Sequence, residues 1–489
     1  MNAALFIIIA TIAGALVLGL LARRGIRMDI EQWSVGGRSF GPVFMFVLMA
    51  GEVFTTFTFL GGGGYAYAHG VAALYMVAYT ALGFMLSYWL LPPIWRIGRA
   101  HGLLTQADFF RVRYDSTPLA LLVAAVGLVS MVPYLVLQFK GLGIIVQATS
   151  YGLLSPALSV WIGAGVMCVY VVVSGMHGSA WTATVKDVMV LAVVAFLGLY
   201  MPWHYYGGIG PMFARLARER PEMLVLSPTG YSPAWFCSTI LVSGLGLYMW
   251  PHTFGSALSA HAARSFRVNA ALMPLYTLVM ILAMMVGFAA IDQVPGLTGG
   301  QIDMALLRLS IQTFPSWFVG LIGAAGLLAA IVPGSMMLIA TATLVANNIF
   351  GVLCARNDPA RVGWIARAMV PVITLVAVWF TLDGSISIVN LLIMGYSFVT
   401  QLFPALLASL SPRRIATTAG AAGGICAGVG VVMATVITHS SMATLFPALP
   451  AWARDINTGC LALGLNVLIM LAVSQVSLLR RPALRSSGQ

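Results

Sequence analysis

Apolar stretches of about twenty residues recur along the chain, and no other feature limits the possible folds so strongly. A helix needs ~20 mostly apolar residues to cross a bilayer. Segments 3–22, 41–66, 71–95, 118–149, 157–175, 187–206, 234–256, 269–291, 317–350, 366–382, 388–410, 416–438 and 458–479 meet that need, thirteen in all. None alternates in the manner of a membrane barrel strand, so all are expected to be helices. Only 8% of the 489 residues are charged and 60% are hydrophobic, with a mean hydropathy of +0.96. A soluble domain carries about 25% charged residues. The expected class is therefore an all-α polytopic membrane protein with the lipid bilayer as its solvent and no soluble domain. The charges of the first segment, Arg23, Arg24 and Arg27, follow its apolar run, so it reads as a retained helix and not as a signal peptide.

The net charge of +12 is a matter of topology. With the N-terminus outside, the cytoplasmic loops and tail hold Arg23, Arg24, Arg27, Arg38, Arg96, Arg99, Arg111, Arg113, Arg264, Arg267, Arg356, Arg361, Arg367, Arg413, Arg414, Arg480, Arg481 and Arg485. The outer loops hold Arg215, Arg218, Arg220, Arg308 and Arg454. Eighteen against five predicts an outside N-terminus and a cytoplasmic C-terminus in a bacterial-type inner (plasma) membrane, and gives no support to nucleic-acid binding. The five cysteines are scattered, so neither a disulfide framework nor a metal site is expected. The long outer connection, 207–233, carries RLARERPE and reads as a short surface helix.

Few ionisable residues fall inside the spans, where each costs ~2.5–3.5 kcal/mol on insertion scales. They are Glu52, Lys140, and the Lys186-Asp187 pair at the start of the sixth span. Glu52 shares a helical face with Thr55, Thr56 and Phe59. Four glycines follow, Gly61, Gly62, Gly63 and Gly64, and each weakens a helix by ~1 kcal/mol relative to alanine. A break there frees backbone groups that lipid does not tolerate and a cavity does. Broken helices around a midplane cavity hold substrates and ions in secondary transporters. The other reading is close helix packing, with Glu52 a paired structural acid. Lys140 can neutralise Glu52, attract an anionic substrate, or snorkel to the near surface. Lys186 and Asp187 face water at a membrane end or take part in coupling. The ninth span carries Pro333-Gly334-Ser335 at its middle, a second place where the helix can break.

The order of several short motifs resembles the sodium:solute symporter family over nearly the whole chain. They are Gly36-Gly37-Arg38-Ser39, FFRVRY (109–114), SGMHGSAWTATVKD (174–187), GLYMWPH (246–252) and QLFPAL (401–406). The resemblance implies an inverted five-plus-five helix core, spans two to six and seven to eleven, with peripheral helices. It divides the chain into 1–39, core repeat 40–206, outer loop 207–233, core repeat 234–410, and peripheral helices with tail 411–489. It also implies a coupling sodium ion between the second and ninth spans. On this chain the second-span carbonyls fall at Glu52 and Thr55, and the ninth-span carbonyl at Ala329 or Ala330.

At the adjacent hydroxyl pair the chain departs from the family. Val332-Pro333 or Pro333-Gly334 stand there, Ser335 is the hydroxyl left nearby, and a carboxylate stands at Glu52. This combination, with Val185-Lys186-Asp187 and Leu258-Ser259, resembles the monocarboxylate permease branch. The expectation is a symporter without cofactor that imports a small carboxylate such as pyruvate, lactate or acetate. It is coupled to a proton at Glu52, or alternatively to sodium in a rebuilt site, with Asp187 a further coupling candidate. Thr56, Thr58, Lys140, Tyr248, Trp250 and His252 are the expected substrate contacts. A channel would show a filter repeat or an oligomer signature, and neither is present. A membrane sensor of the same fold is the rival from another class, and RRPALRSSGQ is too short for a signalling domain. An enzyme would need clustered histidines or acids, and the seven histidines are dispersed.

Overall fold

The computed structural model describes residues 2–25, 28–354, 358–382, 384–412 and 415–479. Arg27, Arg356, Arg413, Arg414, Arg480, Arg481 and Arg485 of the basic set lie outside the described residues.

The described residues form a helical bundle. In chain order it contains α1 (Ala3–Ala22), α2 (Pro42–Val53), α3 (Gly62–His69), α4 (Tyr75–Ala100), α5 (Gln106–Tyr114), α6 (Thr117–Thr149), α7 (Pro156–Tyr206), α8 (Pro233–Gly246) and α9 (Pro251–Leu258). Then follow α10 (Arg264–Tyr276), α11 (Val279–Gln293), α12 (Ser316–Thr343), α13 (Pro359–Leu382), α14 (Ile388–Val399), α15 (Phe403–Leu410), α16 (Thr418–Ile437) and α17 (Thr458–Leu479). Local chemistry sets many of the starts. The Asn2, Ser116, Ser155, Ser232, Ser387 and Thr417 side chains each accept from a backbone N–H of the first turn. Proline follows within the first turn in α6, α7 and α8, where its missing N–H costs nothing.

Ten helical stretches among the described residues are long and apolar enough to cross a membrane, against the thirteen read from the sequence. The difference lies in three places. Phe57–Ala100 and Pro156–Tyr206 each run two expected spans together, and the seventh expected span is interrupted, leaving the shorter apolar helix Pro233–Met249. The joints are glycines in left-handed backbone, Gly70 at φ +56° and Gly175 at φ +58°. A Cβ on Gly175 would lie 2.8 Å from the Trp33 ring.

The two five-helix units share a feature: the leading helix of each is interrupted. The first is broken between α2 and the turn beginning at Phe57, and the second between α8 and α9, where Trp250 is extended at ψ 135°. The stretch Ser316–Leu353, containing α12, is entirely buried over its most apolar window, while α1 and α17 are buried over 22% and 28% of theirs. The centre of the fold is thus α12, with α1 and the α16–α17 pair at the periphery.

Arginines close one end of the bundle by donating to carbonyls of other segments. Arg23 bonds Val173 O at 2.8 Å, Arg38 bonds Leu103 O at 2.8 Å, and Arg99 bonds His261 O at 2.8 Å. This basic end joins loops that the alternating topology places on one side. Its opposite gathers His69, Tyr231, Thr298 and Ser387 around an open vestibule of about 780 Å³.

Candidate functional site

The break in the second expected span lies at Phe54–Thr55, where φ and ψ of Phe54 are −82° and 76°. This corrects the expectation of a break at Gly61–Gly64. Gly61 closes a π-helical turn and Gly62–His69 is regular helix. The glycines serve packing: a Cβ on Gly64 would lie 2.5 Å from Ile302 O, and one on Gly63 3.2 Å from Ala283 O. Pro333 and Gly334 likewise do not break their helix, because α12 runs through them from Ser316 to Thr343. Proline removes one hydrogen bond, that to the Ala329 carbonyl, and the neighbouring turns hold the helix together.

Side chains satisfy the real break. Thr55 Oγ1 accepts from Phe57 N–H at 3.0 Å, and Thr58 Oγ1 donates to Val53 O at 2.6 Å. Lys186 Nζ donates to Gly51 O and Phe54 O, each at 3.1 Å, and lies 2.8 Å from Asp187 Oδ1. Lys186 is fully buried. Asp187 is buried as well, so the expectation that Lys186 and Asp187 face water at a membrane end is wrong for both. Helix α7 bends at Gly175 and then continues, so Lys186 stands about eleven residues along, ~16 Å at 1.5 Å per residue. Glu52 is about ten residues into α2, ~15 Å from its start. Both depths are close to half of a ~30 Å hydrocarbon core.

Glu52 is buried, and its Oε1 accepts a hydrogen bond from Ser256 Oγ of α9. Its backbone carbonyl accepts from Tyr134 OH at 3.3 Å. The two broken helices thus meet at one carboxylate. Ser256 has no signal in the sequence, since serine is common on buried helix faces.

The other expected residues fall into groups. Thr56 Oγ1 donates to Gln138 Oε1 at 2.7 Å, tying the break to α6. Trp250 and His252 pack on Tyr134, with ring centroids 4.7 and 5.2 Å away, and Trp250 also meets Tyr396 at 5.2 Å. Tyr248 is buried on the turn before Trp250. Ala329, Ala330 and Ser335 are buried in α12. Ser335 Oγ pairs with Ser179 Oγ at 2.7 Å and donates to Val332 O at 2.6 Å.

Lys140 does not join this group. Its Nζ donates to Asp303 Oδ2 at 2.8 Å and to Ile386 O at 2.7 Å, beside the vestibule. Asp303 is fully buried and also accepts from Ile388 N–H at 3.0 Å. The apolar runs gave no sign of Asp303, which follows a glycine-rich connection.

Two interrupted helices meeting at a buried charged group near the membrane middle define a multi-pass secondary transporter. A family model of the sodium:solute symporter family matches residues 33–428, and the chain belongs to that family. It is 53% identical over 474 residues, 97% of each chain, to the uncharacterized symporter YhjB of Bacillus subtilis. It is 27% identical over 409 residues, 81% of each chain, to a monocarboxylate transport permease protein of Rhizobium johnstonii. Among solved structures, a Na+-coupled sialic acid symporter in a substrate-bound, outward-open state has the same fold, with a TM-score of 0.80 at 14% identity. That match covers 97% of this chain and 98% of the other.

Proposed function

We propose that this symporter imports a small monocarboxylate of the pyruvate, lactate or acetate type across the plasma membrane, driven by a proton gradient. The observation that carries the coupling reading is the Lys186 ammonium on Gly51 O and Phe54 O. Those carbonyls have the i, i+3 spacing expected of the second-span ion ligands, one residue before the expected Glu52 and Thr55. A sodium ion placed among them would meet a fixed positive charge, and Ser335 already pairs with Ser179. The donor set does not fit sodium. It fits a carboxylate, Glu52, that takes up and releases a proton while Lys186 holds the break in shape.

The substrate reading rests on the permease relative and on the interrupted seventh span. Trp250 packs on Tyr134, whose hydroxyl donates to the Glu52 carbonyl, so a partly polar aromatic surface stands at the break. The arginine-rich end is the cytoplasmic end by the positive-inside rule. The test is uptake of labelled pyruvate into liposomes under an imposed pH gradient or an imposed sodium gradient, with wild type and Glu52→Gln. Accumulation driven by pH and abolished by the substitution is expected. A requirement for sodium would refute proton coupling, and no pyruvate uptake under either gradient would refute the substrate.

A further inference from the structure

Beside the Glu52–Ser256 contact, toward the basic end, lies a small cavity lined by Ser256, His252, Gln106, Thr105 and Thr343. Its wall is mostly apolar, with Leu104, Met176, Met336 and Leu344 around a few polar side chains. Among the described residues, both ring nitrogens of His252, both amide atoms of Gln106 and the hydroxyl of Thr343 have no hydrogen-bond partner. The three side chains are 2%, 1% and 1% exposed, so bulk water does not reach them. Buried polar atoms almost always find partners, and three such side chains lining one cavity call for a partner inside it.

The cavity leaves about 20 Å³ for the centre of a water molecule. One water needs roughly 10–15 Å³ by that measure and two to four polar partners. The space suits one water and is too small for a carboxylate solute. Its position is also directional. Ser256 joins it to Glu52 on one side. On the other, Thr105 Oγ1 donates to Asn348 Oδ1 at 2.7 Å, and Asn348 donates to Asp108 at 2.9 Å, at the basic end.

We propose that Gln106, Thr343 and His252 hold a water molecule that carries the coupling proton between Glu52 and the basic end of the bundle. This inference rests on the proton-coupled reading above. Protonated Glu52 passes its proton to Ser256 Oγ as Ser256 passes its own to the water. When the carrier rocks open toward the basic end, bulk water reaches the site and accepts one proton from that water. Glu52 is left as a carboxylate, and Ser256 and the water end as they began. Gln106 and Thr343 act as positioning residues, through the water.

The experiment compares two modes in liposomes for wild type, Gln106→Leu and the near-isosteric Thr343→Val. Net uptake of labelled pyruvate under a pH gradient requires proton release, whereas pyruvate–pyruvate exchange at equal pH moves no net proton. Net uptake is expected to fall tenfold or more in both variants, with exchange within twofold of wild type. A parallel fall in both modes, or no change in either, would overturn the water route while leaving wild-type proton coupling intact. Should Gln106→Leu fail to assemble, Thr343→Val decides alone. Wild-type uptake indifferent to the pH gradient would remove the underlying reading and the route with it.

Discussion

Replacing Lys186 by methionine keeps the unbranched side chain to within one atom and removes its charge. Two carbonyls at the break, Gly51 O and Phe54 O, then lose their donor, and Asp187 loses the cation 2.8 Å away. An unsatisfied buried acceptor costs ~1–3 kcal/mol, and breaking a buried ion pair ~3–5 kcal/mol. These penalties overlap, so a total of about 3–5 kcal/mol is expected. For 489 residues at ~2.1 cal/mol/K each, the unfolding entropy is ~1 kcal/mol/K, which gives a fall in Tm of about 3–5 °C. Removing both partners of a buried pair is often near neutral. Lys186→Met with Asp187→Asn should therefore recover a large part of the lost Tm, but not pH-driven uptake, because the break carbonyls remain without a donor. The assay is thermal unfolding of the purified protein in detergent, paired with liposome uptake. A double variant no more stable than the single one would refute the buried-pair reasoning. A single variant with unchanged Tm and uptake would refute any role for Lys186 at the break.

Three further outcomes follow from the same geometry. Gly64→Ala places a methyl group 2.5 Å from Ile302 O and should destabilise by ~1–3 kcal/mol, whereas Gly62→Ala, whose nearest atom is 4.0 Å away, should leave Tm and uptake unchanged. Equal loss in both variants would restore the idea that the glycine run is a hinge. Lys140→Met should lower Tm more than Lys140→Met with Asp303→Asn, since the single change strands a fully buried carboxylate; the reverse order in a thermal scan would contradict it. Ser256→Ala removes the donor to Glu52 and should reduce pH-driven uptake at least tenfold, with protein level in the membrane as the control. Uptake equal to wild type would remove Ser256 from the site.

Glu52 was legible because a carboxylate in an apolar run is costly whatever surrounds it, and such residues are few. The break was not. Four glycines are the strongest local sign of a weak helix, yet close packing of Gly63 against α11, Gly64 against the Ile302 segment and Gly61 against Ile388 uses three of the missing side chains. The chain opens instead at Phe54–Thr55, where two threonines and a distant lysine satisfy the freed backbone. That choice is tertiary: without Lys186 across the gap, nothing in FTT marks an opening. The depth of Lys186 is hidden in the sequence for a related reason. A hydropathy run starts afresh after Asp187, so the pair looks like the edge of a span, while α7 has already travelled about three turns from its corner at Gly175. A buried lysine in a membrane must have partners, and the structure places them on the broken helix that also carries Glu52. The two least expected features, an opening before the glycines and a cation at mid-depth, therefore explain one another.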